Sequence, residues 1–252
     1  MKARRSLLFA ILTLFVLINC ACQRSLTDAV ASIKVKPSSE APQSPAAQKA
    51  ATPTAQLTPR EKLIVAGIEQ SNYTKSYDPA YVKLTYPGGD VPRETGVCAD
   101  VIVRAFRACG IDLQKEIHED MTRAFKVYPN NWGSRRADSN IDHRRVPNLM
   151  KWFERQNRSL PISDNAQNYL PGDVVAWDLG NGRLHIGLVT DIKARGGHYT
   201  MVHNIGAGAQ VEDVLFDWKV IGHYRYFDES ARVTTTPTPR STPRPRSNSR
   251  TK

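Results

Sequence analysis

Apolar residues recur along this chain in two rhythms, and the change between them near residue 173 divides the folded part into a helical half and a strand half. Val97, Val101, Ile102, Ala105, Phe106 and Cys109 fall three or four places apart. Their run stops at Gly110, a residue suited to the left-handed conformation that closes a helix. Thr58-Pro59-Arg60-Glu61 reads as a capping box with Pro at the first helical position, and opens a helix reaching about Ser71. Leu113 to Tyr128 and Val146 to Gln156 are predicted as further helices, the latter with Pro147 in its first turn, where a missing N–H breaks no helical bond. Tyr81 to Tyr86 is predicted as a short extended piece before a turn at Pro87-Gly88-Gly89-Asp90.

From Asp173 onward the pattern is that of strands: Val174 to Trp177, Leu184 to Asp191, Tyr199 to Asn204, and Val214 to Tyr226, the last as two pieces. Helices first and strands after, with short connections, predict an α+β domain whose N-terminal helices pack on a C-terminal antiparallel sheet. The domain is expected over 58–230, long enough for one core. Segment 20–57 is rich in Ala, Ser and Pro and lacks aromatic residues, so it is expected to be a disordered tether. Segment 231–252, mostly Thr, Pro, Arg and Ser, is expected to be a disordered tail.

The first residues change the picture of where such a chain works. Met1-Lys2-Ala3-Arg4-Arg5 precedes an apolar run from Ser6 to Ile18 and then Asn19-Cys20-Ala21-Cys22. The run is short for a bilayer span and matches a bacterial signal peptide, 1–19, ending at a lipidation cysteine. Leu17, three places before Cys20, makes Cys20 the expected acceptor; Cys22, preceded by Ala21, is the alternative, and an ordinary cleaved signal stays open. The expectation is export to the periplasmic side of the cell envelope with an N-terminal lipid anchor in a membrane. The outer membrane is favoured because Ala21, not Asp, follows Cys20.

Charge then narrows the partners. The chain carries 35 basic and 24 acidic residues, a net of +11, but 61–230 holds 21 basic and 22 acidic residues, a net of −1. The excess sits at the two ends, six basic residues and no acidic one lying in 231–252. Nucleic acid is therefore not expected as partner, since phosphate binding needs Lys and Arg clustered on a folded surface. The basic ends suit loose association with anionic wall polymers or lipid head groups. Arg135-Arg136 and Arg144-Arg145 are the basic pairs left in the domain.

Outside the export signal two cysteines remain, Cys98 and Cys109. Eleven residues on one helix set them roughly 16 Å apart, beyond the ~7 Å limit for a disulfide. Free thiols in an oxidising compartment invite a catalytic reading. Cys98 opens its helix, where unpaired N–H groups favour a thiolate. Cys109, among Phe106, Ala108 and Ile111, reads as a packed core residue, and that bland reading is the alternative for Cys98 too. Downstream, alternation puts His185, Gly187 and Val189 on one strand face, and Gly187 leaves room beside the imidazole for another chain. His185 is the expected base, beside the helix terminus on the facing layer. His203, one strand later, is placed to take the other ring N–H and fix the tautomer; the alternative for each is a hydrogen-bonded structural histidine. His118, His143, His198 and His223 are expected to be structural or surface residues. No Cys-x-x-Cys or His-Glu-x-x-His pattern suggests a metal, and no cofactor is implied.

These residues resemble the NlpC family of papain-like cell-wall peptidases: Cys98 opening a helix, Leu170-Pro171-Gly172-Asp173-Val174-Val175 as a strand entry, His185-Ile186-Gly187-Leu188-Val189, and Met201-Val202-His203. A closer resemblance, over 61–227, is to an exported bacterial family labelled domain of unknown function 1287. It is carried by Tyr77-Asp78-Pro79, Tyr86-Pro87-Gly88-Gly89-Asp90, His118-Glu119-Asp120-Met121, Asp142-His143-Arg144-Arg145-Val146-Pro147-Asn148 and His203-Asn204-Ile205-Gly206. The NlpC resemblance implies a papain-like fold, with Cys98 as nucleophile, His185 as base and His203 orienting it, in a monomer acting on peptidoglycan stem peptides. Tyr77, Asp78, Asp100, Arg144, Arg145 and Asn204 are then candidate substrate-binding residues, the arginines for a carboxylate. NlpC enzymes usually carry Asp-Cys-Ser-Gly where this chain has Val97-Cys98-Ala99-Asp100, so their usual cleavage site is not implied. A non-catalytic wall-binding lipoprotein and a thiol acyl or peptidyl transferase are the competing functions.

Overall fold

The computed structural model describes residues 44–45 and 56–228. The export signal with Cys20 and Cys22, most of the tether and the tail lie outside the described residues. Helix α1 (Pro59–Tyr73) starts on the expected capping box: Thr58 Oγ1 accepts the Glu61 N–H at 3.2 Å and Glu61 Oε2 accepts the Thr58 N–H at 2.8 Å. Helix α2 (Cys98–Ala108) is buried from Cys98 through Phe106, so it runs through the core. Helix α3 (Leu113–Ala124) is capped by Asp112 and gives way to a 3₁₀ turn at Phe125–Val127, ending sooner than its apolar pattern suggests. Helix α4 (Val146–Arg155) carries Pro147 in its first turn as expected. None of the described helices is long and apolar enough to cross a membrane.

Strands β3 (Val174–Asp178), β4 (Leu184–Lys193), β5 (Tyr199–Asn204), β6 (Ala209–Glu212) and β7 (Lys219–Tyr224) form one antiparallel sheet in the order β6-β5-β4-β3-β7. The domain is thus α+β, helices first. Two expectations are corrected. Residues 81–85 are irregular, because their polar partners are side chains of a neighbouring loop, with the Leu84 N–H on Asn140 Oδ1 at 2.8 Å. The stretch from Val214 turns instead of extending, the Asp217 N–H closing on the Val214 carbonyl, and the edge strand is β6, whose Ala-Gln-Val-Glu sequence carries little apolar signal. A second, two-stranded parallel sheet joins β1 (Ser76–Tyr77) to β2 (Thr95–Gly96), immediately before α2.

The sheet has two apolar faces, each covered. Val174, Ala176, Ile186, Leu188 and Val202 pack with α1, α2 and α4, while Val175, Trp177, Val189 and Met201 pack with Tyr169 and Leu215 on the far side. Helix α1 lies close against the sheet at Gly67, where a Cβ would meet Leu188 Cδ2 at 2.7 Å. Burying such Val, Leu and Phe side chains is worth about 1.5–3 kcal/mol each, and it fixes the two ends of the site below: the start of α2 and the middle of β4.

Candidate active site

Cys98 is the first residue of α2 and is 4% exposed. Val97 before it has no side-chain acceptor, so the helix start is held from three residues on, Asp100 Oδ2 accepting the Val97 N–H at 2.7 Å. Asp100 is in turn gripped by Arg144, whose Nε and Nη2 each donate to it at 3.0 Å. Arg144 spends its other donors on the Ala80 and Asp78 carbonyls. Both side chains are almost fully buried, at 2% and 3% exposure. Asp100 and Arg144 are therefore largely spent on each other, although Arg144 still lines the cavity beside Cys98. They are a buried ion pair that locks the helix terminus carrying the thiol. Asn204 is likewise satisfied internally, its Nδ2 donating to the Gly96 and Ser76 carbonyls and its Oδ1 accepting the Gly206 N–H. Asp78 Oδ1 accepts the Ala80 N–H and closes a turn.

The sheet places the histidines. Val189 bonds through its N–H and carbonyl to residues 173 and 172 at the head of β3, so odd-numbered N–H groups of β4 point toward β3 and even-numbered ones toward β5. The pairs between β4 and β5 run through Leu188↔Val202, and beyond them the Asn204 side chain bonds to the Ser76 and Gly96 carbonyls of β1 and β2. The Ile186 N–H acts on the Cys98 thiol and favours its thiolate. The side chain of His185 projects from the other face, the one turned away from the helices, with Trp177, Gly187 and His203. The expectation that His185 faces the helix layer is thus corrected: its side chain lies on the other face, while Cys98 packs on the helix face in the same cluster as Ile186, one residue from His185. Gly187 is needed here, because a Cβ would stand 3.1 Å from both the His203 Cβ and the Trp177 ring.

His185 Nε2 and His203 Nδ1 are 2.9 Å apart. Trp177, directly opposite His185 in β3, stacks on it at 5.5 Å between centroids, and Trp218 meets both imidazoles edge-on. On its far side His203 Nε2 lies 3.1 Å from Glu212 Oε2 on β6, within ion-pair distance though off the line of a hydrogen bond. Burial, then the neighbouring His203, pulls His185 down to about 3. Burial also lowers His203, against the opposing pull of Glu212 and Asp217. Burial pushes the Cys98 thiol up to about 11, outweighing the N–H groups of Ile186, Ala99 and Cys98 that favour a thiolate. At neutral pH the resting site therefore holds a thiol and neutral imidazoles. Among the described residues no hydrogen bond joins Cys98 Sγ to His185.

Two cavities flank this constellation. One of about 340 Å³ is lined by Cys98, Trp132, Ile141, Arg145 and Pro147, and one of about 450 Å³ by His185, Arg183, Ile205 and Trp218. Tyr77 and Leu184 line both and form the divide. Tyr77, 39% exposed, has its hydroxyl pushed up to about 12 by burial and then by the neighbouring Cys98. Arg145 sits at the rim with its guanidinium 4.0 Å over the Trp132 ring and one nitrogen 3.3 Å from Asp142. Of the sequence candidates, Cys98, Tyr77, Arg144 and Arg145 thus line one cavity and Tyr77 and His185 the other, with His203 bonded to His185. Trp177, Trp218, Trp132 and Glu212 were missed. Trp177 becomes legible only once strand register pairs it with His185, and Glu212 only once β6 is known to be a strand. Cys109, just past the end of α2, is a half-buried free thiol packed against the core and donating to the Pro59 carbonyl. His223 and Arg225 both bind the buried Asp173 that opens β3, a structural role.

Comparison with known proteins adds a family but no chemistry. A family model described as "Domain of unknown function (DUF1287)" matches residues 64–226. The "Uncharacterized protein YijF" of Escherichia coli (strain K12) is 58% identical over 159 residues, which span 63% of this chain and 78% of that protein.

Proposed function

Because the chain belongs to the DUF1287 family, whose description assigns no reaction, we propose its activity from the site itself: a papain-like thiol hydrolase of NlpC type, exported to the cell envelope, cleaving an amide bond in peptidoglycan stem peptides. The observation that carries this reading is the pairing of His185 Nε2 with His203 Nδ1 at 2.9 Å, one residue along β4 from the Ile186 N–H that acts on Cys98. With Nε2 occupied, Nδ1 is the ring nitrogen of His185 left for proton transfer.

The thiol enters the reaction protonated, so attack and proton transfer go together. Cys98 Sγ bonds to the amide carbonyl carbon as its proton passes to His185 Nδ1. The carbonyl electrons move onto oxygen, where the Cys98 backbone N–H is a donor, an interaction of a kind worth about 10²–10³ in rate. His185 then gives its proton to the leaving amine, the C–N bond breaks, and a thioester remains. Water, deprotonated by His185, hydrolyses the thioester and restores the thiol. Arg145, held by Trp132 and Asp142 at the rim, is the cation for a substrate carboxylate. Envelope location rests on the basic start, the apolar run and Cys20, the proposed lipid acceptor.

One observation favours a second reading, a wall-binding lipoprotein on the same scaffold: Cys98 is buried, protonated and without a hydrogen bond to His185. Mass spectrometry of muropeptides incubated with wild type, Cys98→Ser and His185→Ala separates the two. Fragments carrying one added water, produced by the wild type and lost in both variants, support hydrolysis. Amine adducts identify a transferase, and unchanged muropeptides retained on the protein leave only the binding reading.

A further inference from the structure

The line of polar contacts does not end at His203. Its Nε2, buried and otherwise without a partner, lies 3.1 Å from Glu212 Oε2, while its Nδ1 lies 2.9 Å from His185 Nε2. A neutral imidazole has one N–H and one lone pair, whereas a carboxylate only accepts. If His203 carried its proton on Nδ1, the Nε2 lone pair would face an anion. The favourable arrangement puts the proton on Nε2, toward Glu212. His203 Nδ1 is then an acceptor, His185 Nε2 must be the donor, and the lone pair of His185 falls on Nδ1. Gly187 keeps the two rings in contact, and Trp177 and Trp218 enclose them.

The geometry points to Glu212 as a positioning residue that sets the tautomers of both histidines and so decides which nitrogen of His185 is basic. This rests on the thiol-hydrolase reading only for its use, not for the tautomers themselves. Glu212 is well placed for the task, because its side chain is 46% exposed and yet reaches a buried ring. Asp217 is the other carboxylate acting on His203, with the same sign. Exposure also makes Glu212 replaceable without opening the core.

The test reads the rings directly. In the full chain with ¹⁵N-labelled histidine, two-bond ¹H–¹⁵N spectra at neutral pH should show His203 and His185 both as Nε2–H tautomers. Glu212→Lys offers a donor in place of an acceptor and should convert both rings to Nδ1–H, while Glu212→Asp should keep the wild-type pattern. On muropeptides Glu212→Lys should lower kcat by about 10²-fold or more with KM little changed, as expected of a base in the wrong tautomer. Wild-type rings found as Nδ1–H, or tautomers unmoved by Glu212→Lys, overturn the assignment. Tautomers that follow Glu212 in a chain that cleaves no muropeptide uphold it and overturn the hydrolase reading instead.

Discussion

Cys98 is pulled two ways by its position. The start of α2 and the Ile186 N–H favour a thiolate, while burial opposes it, and burial wins with a pKa of about 11. Against an ordinary thiol near 8.5 that leaves about 10²-fold less thiolate at pH 7. In a Cys109→Ser background, iodoacetamide should therefore label resting Cys98 far more slowly than free cysteine, at a rate climbing with pH toward about 11. Labelling faster than free cysteine at pH 7 would instead reveal a standing thiolate–imidazolium pair. Gly187 is the second residue on which the site turns. Gly187→Ala puts a methyl 3.1 Å from both His203 and Trp177, and overpacking of this kind costs about 1–3 kcal/mol. Urea unfolding should register that loss, and the two-bond spectra of His203 should shift with it.

Helix α2 is set by an ion pair more than by its own sequence. Asp100 holds the Val97 N–H and Arg144 holds Asp100, tying the thiol to the loop before α4 and to the turn after β1. Arg144→Leu leaves the Asp100 charge buried and unpaired, a loss of about 3–5 kcal/mol. Replacing both, Asp100→Asn with Arg144→Leu, should recover much of that stability in urea melts. If the single and double variants are equally destabilised, the pair does not act as a unit. These two residues also show how a motif misleads. Asp100 and Arg144 stand beside catalytic-looking neighbours in sequence, and only their 3.0 Å contact reveals that each is the other's partner.

For the whole molecule, three buried histidines make stability depend on pH. His143 is brought down to about 4 by burial and then Arg144, His185 to about 3, and His203 is lowered as well. Each folded pKa is below the unfolded value of about 6.5, so the unfolded chain binds more protons and stability rises with pH. Their contribution is complete above about pH 6.5 and is lost as pH falls toward 4, at up to about 1.4 kcal/mol per pH unit for each ring. Urea midpoints should fall between pH 7 and pH 5, and His143→Gln should flatten that fall; a pH-independent midpoint would refute it. Charge is just as unevenly spread, with a net of −1 over 61–230 and six basic residues without an acidic one in 231–252. Deleting 231–252 should weaken salt-sensitive retention on anionic vesicles and leave the melting temperature nearly unchanged.

What the sequence determined by itself was local and periodic. The Thr58 capping box, the start of α2 at Cys98 and the span of β5 all follow from spacings of a few residues, because helix and strand periods are backbone properties. What only the tertiary structure decided was non-local. The pairing of Asp100 with Arg144, the action of the Ile186 N–H on Cys98, the stacking of Trp177 on His185 and the approach of Glu212 to His203 each join residues from different elements. Burial, which shifts the thiol and the imidazoles in opposite directions, likewise belongs to no single segment. A sequence names the groups able to react, while their partners and protons are assigned by packing.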